Sequence, residues 1–254
     1  MPLTVARLFG WHAALFPTGY SGLYPLQVSA WRTGPMQVVS GPLGRERVPY
    51  DAPAAEDLNT QMGAFLAWFN ADQGLDPVLK AALAHFWFVT IHPFDDGNGR
   101  IARAIADLQL TRVDGTGQRC YSMSAQIQAE RQAYYDLLEA SQRGPLELTP
   151  WLTWFLECLS RALRAAEHTL AQVLAKACFW EHHRDTAFTV RQRQLLTRLL
   201  DGFAGKFTTA KWARMARCSQ DTAGRDIADL VAKGVLVHEG AGGRSTSYRL
   251  TPEA

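Results

Sequence analysis

The sequence has little of what membrane, secreted and disulfide-stabilised proteins need. No apolar run among its 254 residues approaches the length that crosses a bilayer. Its four cysteines are widely separated and none has CxxC spacing, which argues against a zinc site and indicates reduced thiols. The N-terminal segment also lacks the basic and then apolar pattern of a signal peptide. Together these absences predict a cytoplasmic protein.

Net charge is also small, at +2, but it is unevenly distributed. Residues 189–254 carry 11 of the 26 Lys and Arg and only 6 of the 24 Asp and Glu. A basic C-terminal region predicts a polyanionic partner such as DNA. A basic surface without any ligand is the alternative interpretation.

Helical patterns dominate residues 1–182. Apolar residues make up 47% of the chain, which excludes a disordered protein. Asp76-Pro77 is typical of a helix start, and the following VLKAALAHFWFVTI is apolar nearly all round, as in a helix buried at the centre of a domain. A further helix is predicted with Ser124 as its N-cap, and a long one over residues 149–181. The runs LQVSAWR and MQVVS, separated by a Thr-Gly-Pro turn, predict a hairpin.

A different pattern occupies residues 185–254. Three short helical segments, VRQRQLLTRLL, TTAKWARMAR and SQDTAGRDIADLVAKG, precede two strand-like runs, VLVHE and STSYRL. This order predicts a winged helix-turn-helix domain. Its recognition helix would be Asp221–Lys233, with Arg225 exposed and Arg244 in the wing. Three acids on that helix would repel DNA phosphates: Asp221, Asp226 and Asp229. Winged helices also bind proteins, which is the alternative interpretation.

The stretch IHPFDDGNGR, residues 91–100, concentrates polar and glycine residues between two predicted helices. Gly97 and Gly99 let the backbone approach a ligand closely, and the unpaired amides at the start of the second helix favour an anion. Arg100 and Arg103 share one face of that helix and would flank a polyphosphate.

Two further side chains in this stretch suggest chemistry. The Asp96 carboxylate is placed to hold Mg²⁺, and a neutral His92 imidazole can take a proton from an attacking hydroxyl. Together these parts indicate phosphoryl or nucleotidyl transfer. Taken singly, each has a structural alternative: a His-Pro helix end, an Asp-Gly turn, and an ion-paired helix face with Arg103 and Asp107.

HPFDDGNGRIAR resembles the Fic-domain signature HxFx(D/E)GNGRxxR, with every specified position filled. The resemblance extends from the hairpin at about 27–40 to the long helix after residue 150. It implies a mainly α fold: a Fic helical core over residues 1–182, with a short β-hairpin flap at about 36–50 and a motif loop at 92–103. The small α+β winged helix at 185–254 would follow. It also implies transfer of AMP from ATP to a Ser, Thr or Tyr hydroxyl of a protein docked at the flap, or of this chain itself, with release of pyrophosphate.

Site roles follow from the resemblance by position. His92 would be the catalytic base, Asp96 would bind Mg²⁺, and Phe94 would pack inward and fix the loop. Arg100 would hold the outer phosphates and Arg103 the γ-phosphate. The phosphates would be cradled by Gly97, Asn98 and Gly99. The adenine would be bordered by Tyr134, Tyr135 and Gln142, although the last position is often asparagine in the family.

The resemblance leaves several alternatives open. Lysine stands at the position of Gly99 in Doc-like phosphotransferases, so glycine favours AMP transfer, although another nucleotide or phosphoryl group is not excluded. A DNA-binding transcriptional regulator whose Fic pocket senses nucleotide is the rival from another class, and an intact His92 argues against it. Removal of AMP is a further rival, and members that catalyse it rely on an inhibitory glutamate.

That glutamate normally lies in a helix with the pattern (S/T)xxxE(G/N). The chain's one Glu followed by Gly or Asn is Glu239, and Val235 stands where Ser or Thr is required. We therefore expect that the inhibitory helix has been removed from the N-terminus or is supplied by a separate chain.

Overall fold

The computed structural model describes residues 1–40, 47–115, 119–144, 147–239 and 246–251. The chain is mainly helical with small sheets, and it divides into two compact units, Met1–Ala166 (unit 1) and Glu167–Ala254 (unit 2). The domain limits expected from the sequence, 1–182 and 185–254, stay a prediction. In the ranges given above, no helix has both the length and the apolar character needed to cross a membrane.

Unit 1 is built from helices and two small antiparallel hairpins. The strands are β1 Tyr20–Ser21, β2 Tyr24–Pro25, β3 Gln37–Ser40 and β4 Arg47–Asp51. The helices are α1 Val5–Leu15, α2 Leu58–Asn70, α3 Pro77–Ile91, α4 Asn98–Asp114, α5 Met123–Ala129 and α6 Arg131–Arg143, and α7 Thr149–His182 contributes residues to both units.

The apolar helix α3 lies at the centre of unit 1, as its sequence predicts. Its N-cap is Asp76, whose carboxylate accepts from the amides of the next turn, and Pro77 occupies the first helical position. Both the α2-facing and α4-facing sides are buried, because α3 carries apolar side chains around most of its circumference. Trp151 at the start of α7 also donates its indole N–H to the Ala82 carbonyl oxygen, 2.9 Å away. This helix therefore presents a fixed C-terminal end to the motif loop.

The predicted strand LQVSAWR is wrong, and the hairpin is placed differently. It is β3 and β4 that pair, with Gln37 opposite Asp51, and this hairpin extends one residue beyond the flap predicted at about 36–50. Residues 26–32 form no strand because Ser29 adopts a left-handed φ of 57°. The Arg32 amide in addition donates to the Pro93 carbonyl oxygen (2.9 Å) and not to a neighbouring strand. The tip of the hairpin, residues 41–46, lies outside the described residues.

The single helix predicted after Ser124 is also wrong. Ser122 is the N-cap, accepting from the Ala125 amide at 3.1 Å, and the segment divides into α5 and α6 at Glu130. The Glu130 carboxylate binds the Arg161 guanidinium through both oxygens, each contact 2.6 Å long. The backbone angles of Glu130 are not helical, and its ion pair is with a residue far along the chain. The neighbouring sequence therefore gives no signal of the break between α5 and α6.

Unit 2 contains the predicted helices and strands and one more strand. In chain order they are α8 Val190–Leu200, β5 Phe207–Thr208, α9 Thr209–Ala216, α10 Gln220–Ala232, β6 Leu236–Glu239 and β7 Ser247–Leu250. The strands form one antiparallel sheet in the order β5-β7-β6, and β5 was not predicted. The winged-helix assignment remains a prediction, and Arg244 of the expected wing lies outside the described residues.

Two of the three acids expected to face DNA are engaged within unit 2. Asp226 is buried and binds the Arg191 guanidinium, and Asp229 accepts from Gln192 and Lys233. Asp226 lies on the face of α10 that packs on α8 and α9, because Trp212 also donates to it at 3.2 Å. Arg225 is exposed, as the sequence predicts.

Candidate active site

His92 stands at the C-terminal end of α3, where the chain turns sharply. Its backbone is left-handed (φ 50°, ψ 57°), and its Nδ1 lies 3.1 Å from the Val89 carbonyl oxygen. A carbonyl oxygen only accepts, so this contact places the proton on Nδ1 and leaves Nε2 as the basic nitrogen. Burial lowers the pKa of His92, the Val89 contact raises it, and the Arg32 cation lowers it further. His92 is therefore neutral near pH 7 and able to accept a proton.

Phe94 anchors the loop in the core of unit 1. Its ring is fully buried and stacks on the His12 ring, with centroids 4.1 Å apart and planes 10° apart. Trp31 packs against the same ring, with centroids 5.0 Å apart. The loop backbone next to Phe94 is held by these contacts, since a buried aromatic ring has few alternative positions.

Asn98 closes the loop with both ends of its side chain. Its Oδ1 accepts from the Phe94 amide at 2.9 Å, and its Nδ2 donates to the Phe94 carbonyl oxygen at 2.7 Å. The side chain is buried, so what Asn98 offers a phosphate is its backbone amide. The side chain of Asn98 thus shapes the turn at the start of α4, and its expected contact with the phosphates stays a prediction.

Gly97 and Gly99 differ in what they require. Gly97 has φ 86°, and a Cβ there would lie 2.9 Å from Cε2 of Phe16, so both backbone conformation and space demand glycine. Gly99 is helical, and a Cβ there would meet only the Arg103 guanidinium, 3.7 Å away. The surface over Gly99 is open to a ligand, whereas Gly97 belongs to the packing.

Asp96 is the carboxylate best placed to hold a metal ion. One oxygen accepts from the Gly97 amide at 2.5 Å, and the other from the Ser21 hydroxyl at 2.6 Å and from Arg100 at 3.3 Å. Its side chain is 43% exposed. Among the described residues no group of three or more His, Cys, Asp or Glu side chains is arranged so that it could hold a metal ion. A single accessible carboxylate fits Mg²⁺, which keeps waters and substrate phosphates as its other ligands, better than a structural metal.

Two arginines line the same end of α4. The Arg100 guanidinium lies over the Phe16 ring, 4.6 Å from its centroid, and is half exposed. Within the described ranges, no carboxylate pairs with Arg103: the expected partner Asp107 binds Arg119 at 2.6 Å instead. The ion-paired alternative for Arg103 is therefore wrong, and Arg103 retains its charge for an anion.

The three residues expected around adenine lie in different surroundings. Tyr134 is buried, and its hydroxyl is 2.9 Å from Nε2 of the core residue His85. Tyr135 is half exposed, with the Arg131 guanidinium 5.5 Å from its ring centroid. The Gln142 amide donates to the Thr90 hydroxyl at 3.1 Å, close to the end of α3. Their contact with adenine stays a prediction, for which Tyr134 offers little exposed surface.

Three residues that shape the site were missed from the sequence. His12 on α1 is fully buried, with Nε2 3.2 Å from the Asp96 carbonyl oxygen and Nδ1 accepting from the Ser29 amide at 3.3 Å. Ser21 binds Asp96, and Arg32 binds the backbone of His92. One signal in the sequence could have pointed to His12 and Arg32, since both stand among apolar residues. A polar side chain buried in such surroundings needs hydrogen-bond partners.

The part of the chain that contains this loop is similar to known proteins. Residues 2–110 match the model of the Fic/DOC family. Over these residues the chain is similar to that family. It is similar to "Protein adenylyltransferase Fic" of Culex quinquefasciatus, 34% identical over 113 residues, which are 44% of this chain and 21% of that protein. The protein of the same name from Nematostella vectensis is 32% identical over 144 residues, 56% of this chain and 30% of the other.

The chain therefore spans about a fifth to a third of the length of these curated relatives. A Fic family protein from Desulfovibrio desulfuricans G20 shares the fold, with a TM-score of 0.55 and 20% identity. That likeness covers 99% of this chain and 70% of the other. The Fic/DOC match ends within α4, so it includes the motif loop but not the elements that follow α4.

Proposed function

We propose that this protein is an adenylyltransferase that moves AMP from ATP to a Ser, Thr or Tyr hydroxyl of a target protein, releasing pyrophosphate. The observation that carries the proposal is the arrangement of one loop: a neutral His92 with Nε2 available, the Asp96 carboxylate, and the amides at the start of α4. The relatives named adenylyltransferases support the choice of AMP as the group transferred.

The reaction needs one proton transfer and one exchange of bonds at phosphorus. Nε2 of His92 accepts the proton of the target hydroxyl as its oxygen forms a bond to the α-phosphorus of ATP. The bond from the α-phosphorus to the oxygen bridging to the β-phosphate breaks, and pyrophosphate carries away that electron pair. The amides of Asn98 and Gly99 and the guanidinium groups of Arg100 and Arg103 bind the phosphates. Mg²⁺, held by Asp96, would neutralise charge on the departing phosphates.

The flap is the proposed docking site for the target protein. The β3–β4 hairpin offers a strand edge on which an extended segment of the target can add as a further strand. Such docking would bring a hydroxyl toward His92.

The four cysteines are free, which agrees with a reducing compartment and supports a cytoplasmic location.

Labelled ATP tests the proposal. The protein is incubated with Mg²⁺ and ATP labelled at the α-phosphate, first alone and then with a cell lysate, and γ-labelled ATP serves in parallel. We expect label on protein from the α position only, and its loss in His92→Ala. Label from the γ position would instead identify phosphoryl transfer, and no label from ATP with label from another nucleotide would identify a different donor.

An inhibitory glutamate remains part of the proposal as a regulator. Arg103 is the group with which such a glutamate would pair, and in the described residues it has no carboxylate partner. A synthetic helix of the pattern (S/T)xxxE(G/N) added to the protein should lower the transfer rate. A variant peptide with Gln in place of the Glu should not, because the ion pair to Arg103 is lost.

DNA binding by unit 2 is a second candidate function. We propose it because the main argument against it, the acids on the expected recognition helix, is weaker than the sequence suggests. Asp226 and Asp229 bind groups of unit 2, while Arg225 is exposed. The full chain should then bind duplex DNA with an affinity that falls steeply with salt, and Arg225→Ala should weaken it. Equal affinity for heparin and DNA, unchanged in the variant, would leave only a basic surface.

A further inference from the structure

Arg32 is a buried cation whose hydrogen bonds go to backbone carbonyl oxygens of three separate segments. Its Nε donates to the His92 carbonyl oxygen at 2.8 Å, one terminal nitrogen to that of Gly34 at 2.7 Å, and the other to that of Pro53. The residue is 2% exposed. We call this arrangement of Arg32 with the carbonyls of Gly34, Pro53 and His92 the Arg32 clamp.

The three carbonyl groups that accept from Arg32 lie at the two ends of the hairpin and at His92. Gly34 precedes β3 and Pro53 follows β4, so the Arg32 clamp holds both ends of the hairpin that would dock the target. A hydrogen bond of 3.0 Å from the Ala52 amide to the Met36 carbonyl oxygen closes the base of the same hairpin. The third acceptor is the residue proposed as the base, and the Arg32 amide also binds its neighbour Pro93. One side chain thus joins the docking element to the base.

The chemistry of the clamp distinguishes it from an ordinary stabilising contact. In the described parts of the chain no carboxylate lies within ion-pair distance of Arg32, and its three hydrogen-bond acceptors are neutral oxygens. The more distant Asp95 carboxylate raises the pKa of Arg32, but burial lowers this pKa by more. Burying a charge without a contacting counterion costs free energy that packing alone would not require. The planar, forked guanidinium reaches three carbonyl groups at once, which the single ammonium group of lysine does not.

We propose that Arg32 is a positioning residue that fixes the docking hairpin relative to His92, and so sets the geometry between the target hydroxyl and the base. The inference rests on the proposed transfer reaction and extends it to a residue that contacts neither ATP nor the target. Transfer depends on the approach of the hydroxyl to both Nε2 of His92 and the α-phosphorus, and a misplacement of about 1 Å costs on the order of 100-fold in rate.

The test compares Arg32→Gln and Arg32→Lys with the unaltered protein. The transfer rate is measured at saturating ATP, and ATP affinity separately by calorimetry. We expect Arg32→Gln to lower the rate about 100-fold while ATP affinity changes less than about threefold, since the phosphate-binding amides and arginines remain. Arg32→Lys keeps the charge and one donor and should recover part of the rate.

Lys80→Met is the matched control. Lys80 is also a buried cation in unit 1 that donates to a backbone carbonyl, that of Ala71 at 2.6 Å, but it joins neither the hairpin nor His92. Loss of stability in this variant should match that of Arg32→Gln without the loss of rate. A comparable fall in rate for both variants, or a parallel loss of ATP affinity in Arg32→Gln, would reduce Arg32 to a structural role.

Amide hydrogen exchange separates failure of this inference from failure of the proposed function. In Arg32→Gln the amides of Ala52 and His92 should exchange faster together, by about tenfold, whereas Lys80→Met should leave both unchanged. If the unaltered protein transfers no label, the adenylyltransferase proposal fails, and the exchange result alone decides whether Arg32 joins the two segments. Unchanged exchange at either amide would contradict the clamp.

Discussion

In unit 1 the Arg32 guanidinium is buried against three carbonyl oxygens, whereas in unit 2 the Arg191 guanidinium meets the Asp226 carboxylate, with N–O distances of 2.5 and 3.0 Å. Asp226 also receives the Trp212 indole N–H, so charge and hydrogen-bonding capacity are both matched across α8, α9 and α10. A matched pair of this kind joins helices. An arginine bound only to carbonyls instead fixes the course of a loop. Arg32 of unit 1 should therefore be needed for activity, and Asp226 of unit 2 for stability.

Loss of the base is the largest effect expected from this contrast. His92→Ala should lower the transfer rate by between about 100-fold and 10,000-fold, because general base catalysis accounts for that range. The denaturation midpoint of the His92→Ala variant should change little, since His92 is only partly buried. Rates and denaturant unfolding curves of the same preparation check both statements. A rate within tenfold of the unaltered protein would remove His92 from the mechanism.

Breaking the unit 2 network should give the opposite pattern. Asp226→Ala leaves the Arg191 and Trp212 donors without their acceptor and should cost about 2 kcal/mol in the free energy of unfolding of unit 2. The figure is below that of a fully buried pair, because the Arg191 side chain is 38% exposed. Calorimetry should show this loss, with the transfer rate at 25 °C unchanged. Asp221→Ala, at an exposed position of α10, is the control and should alter neither.

The two motif glycines offer a smaller and sharper comparison within unit 1. Gly97→Ala should cost about 1–2 kcal/mol in stability, since it combines a positive φ with a Cβ 2.9 Å from the Phe16 ring. Gly99→Ala should be neutral or slightly stabilising, because alanine favours a helix. Both should weaken ATP binding if the amides lie against phosphate. Equal stability of the two variants, measured by urea denaturation, would contradict the packing role of Gly97.

Acid sensitivity gives the smallest effect near neutral pH, because it grows only as the pH falls below the pKa of an unfolded histidine. Burial, with a lesser contribution from the Arg103 cation, lowers the pKa of His85 to about 3, whereas an unfolded histidine titrates near 6.5. Between these values the unfolded chain binds a proton that the folded chain does not. The free energy of unfolding of unit 1 therefore falls with decreasing pH, by at most about 1.4 kcal/mol per unit from this residue. His85→Gln should flatten the dependence between pH 6.5 and 5. Parallel curves for the two proteins would show that His85 does not contribute.

Local signals in the sequence were enough for the elements that depend on local chemistry. Asp76-Pro77 marks the start of α3, and the apolar run after it places this helix in the core. The helices of unit 2 begin at the hydroxyl residues Thr189, Thr208 and Ser219, whose side chains accept from the first turn. The contiguous Fic signature likewise located the motif loop without any long-range information.

Features that depend on distant partners were not predictable in the same way. The run LQVSAWR has the composition of a strand, yet the Arg32 clamp and the left-handed Ser29 hold it as an irregular segment. The break at Glu130 is tied to Arg161, 31 positions away, and the His12 contact with Asp96 spans 84 positions. Sequence periodicity carries no record of such partners, so tertiary contacts override propensity there.

The start of α4 differs from that of several other helices in this chain. Side-chain oxygens complete the first turns of α1, α3, α5, α8, α9 and α10, whereas Gly97 at the head of α4 has no side chain to do so. The protein thereby forgoes roughly 0.3 kcal/mol of stability that a serine or aspartate would supply. A bound phosphate would take the place of the missing side chain, so the nucleotide would act as the last structural part of the helix that binds it.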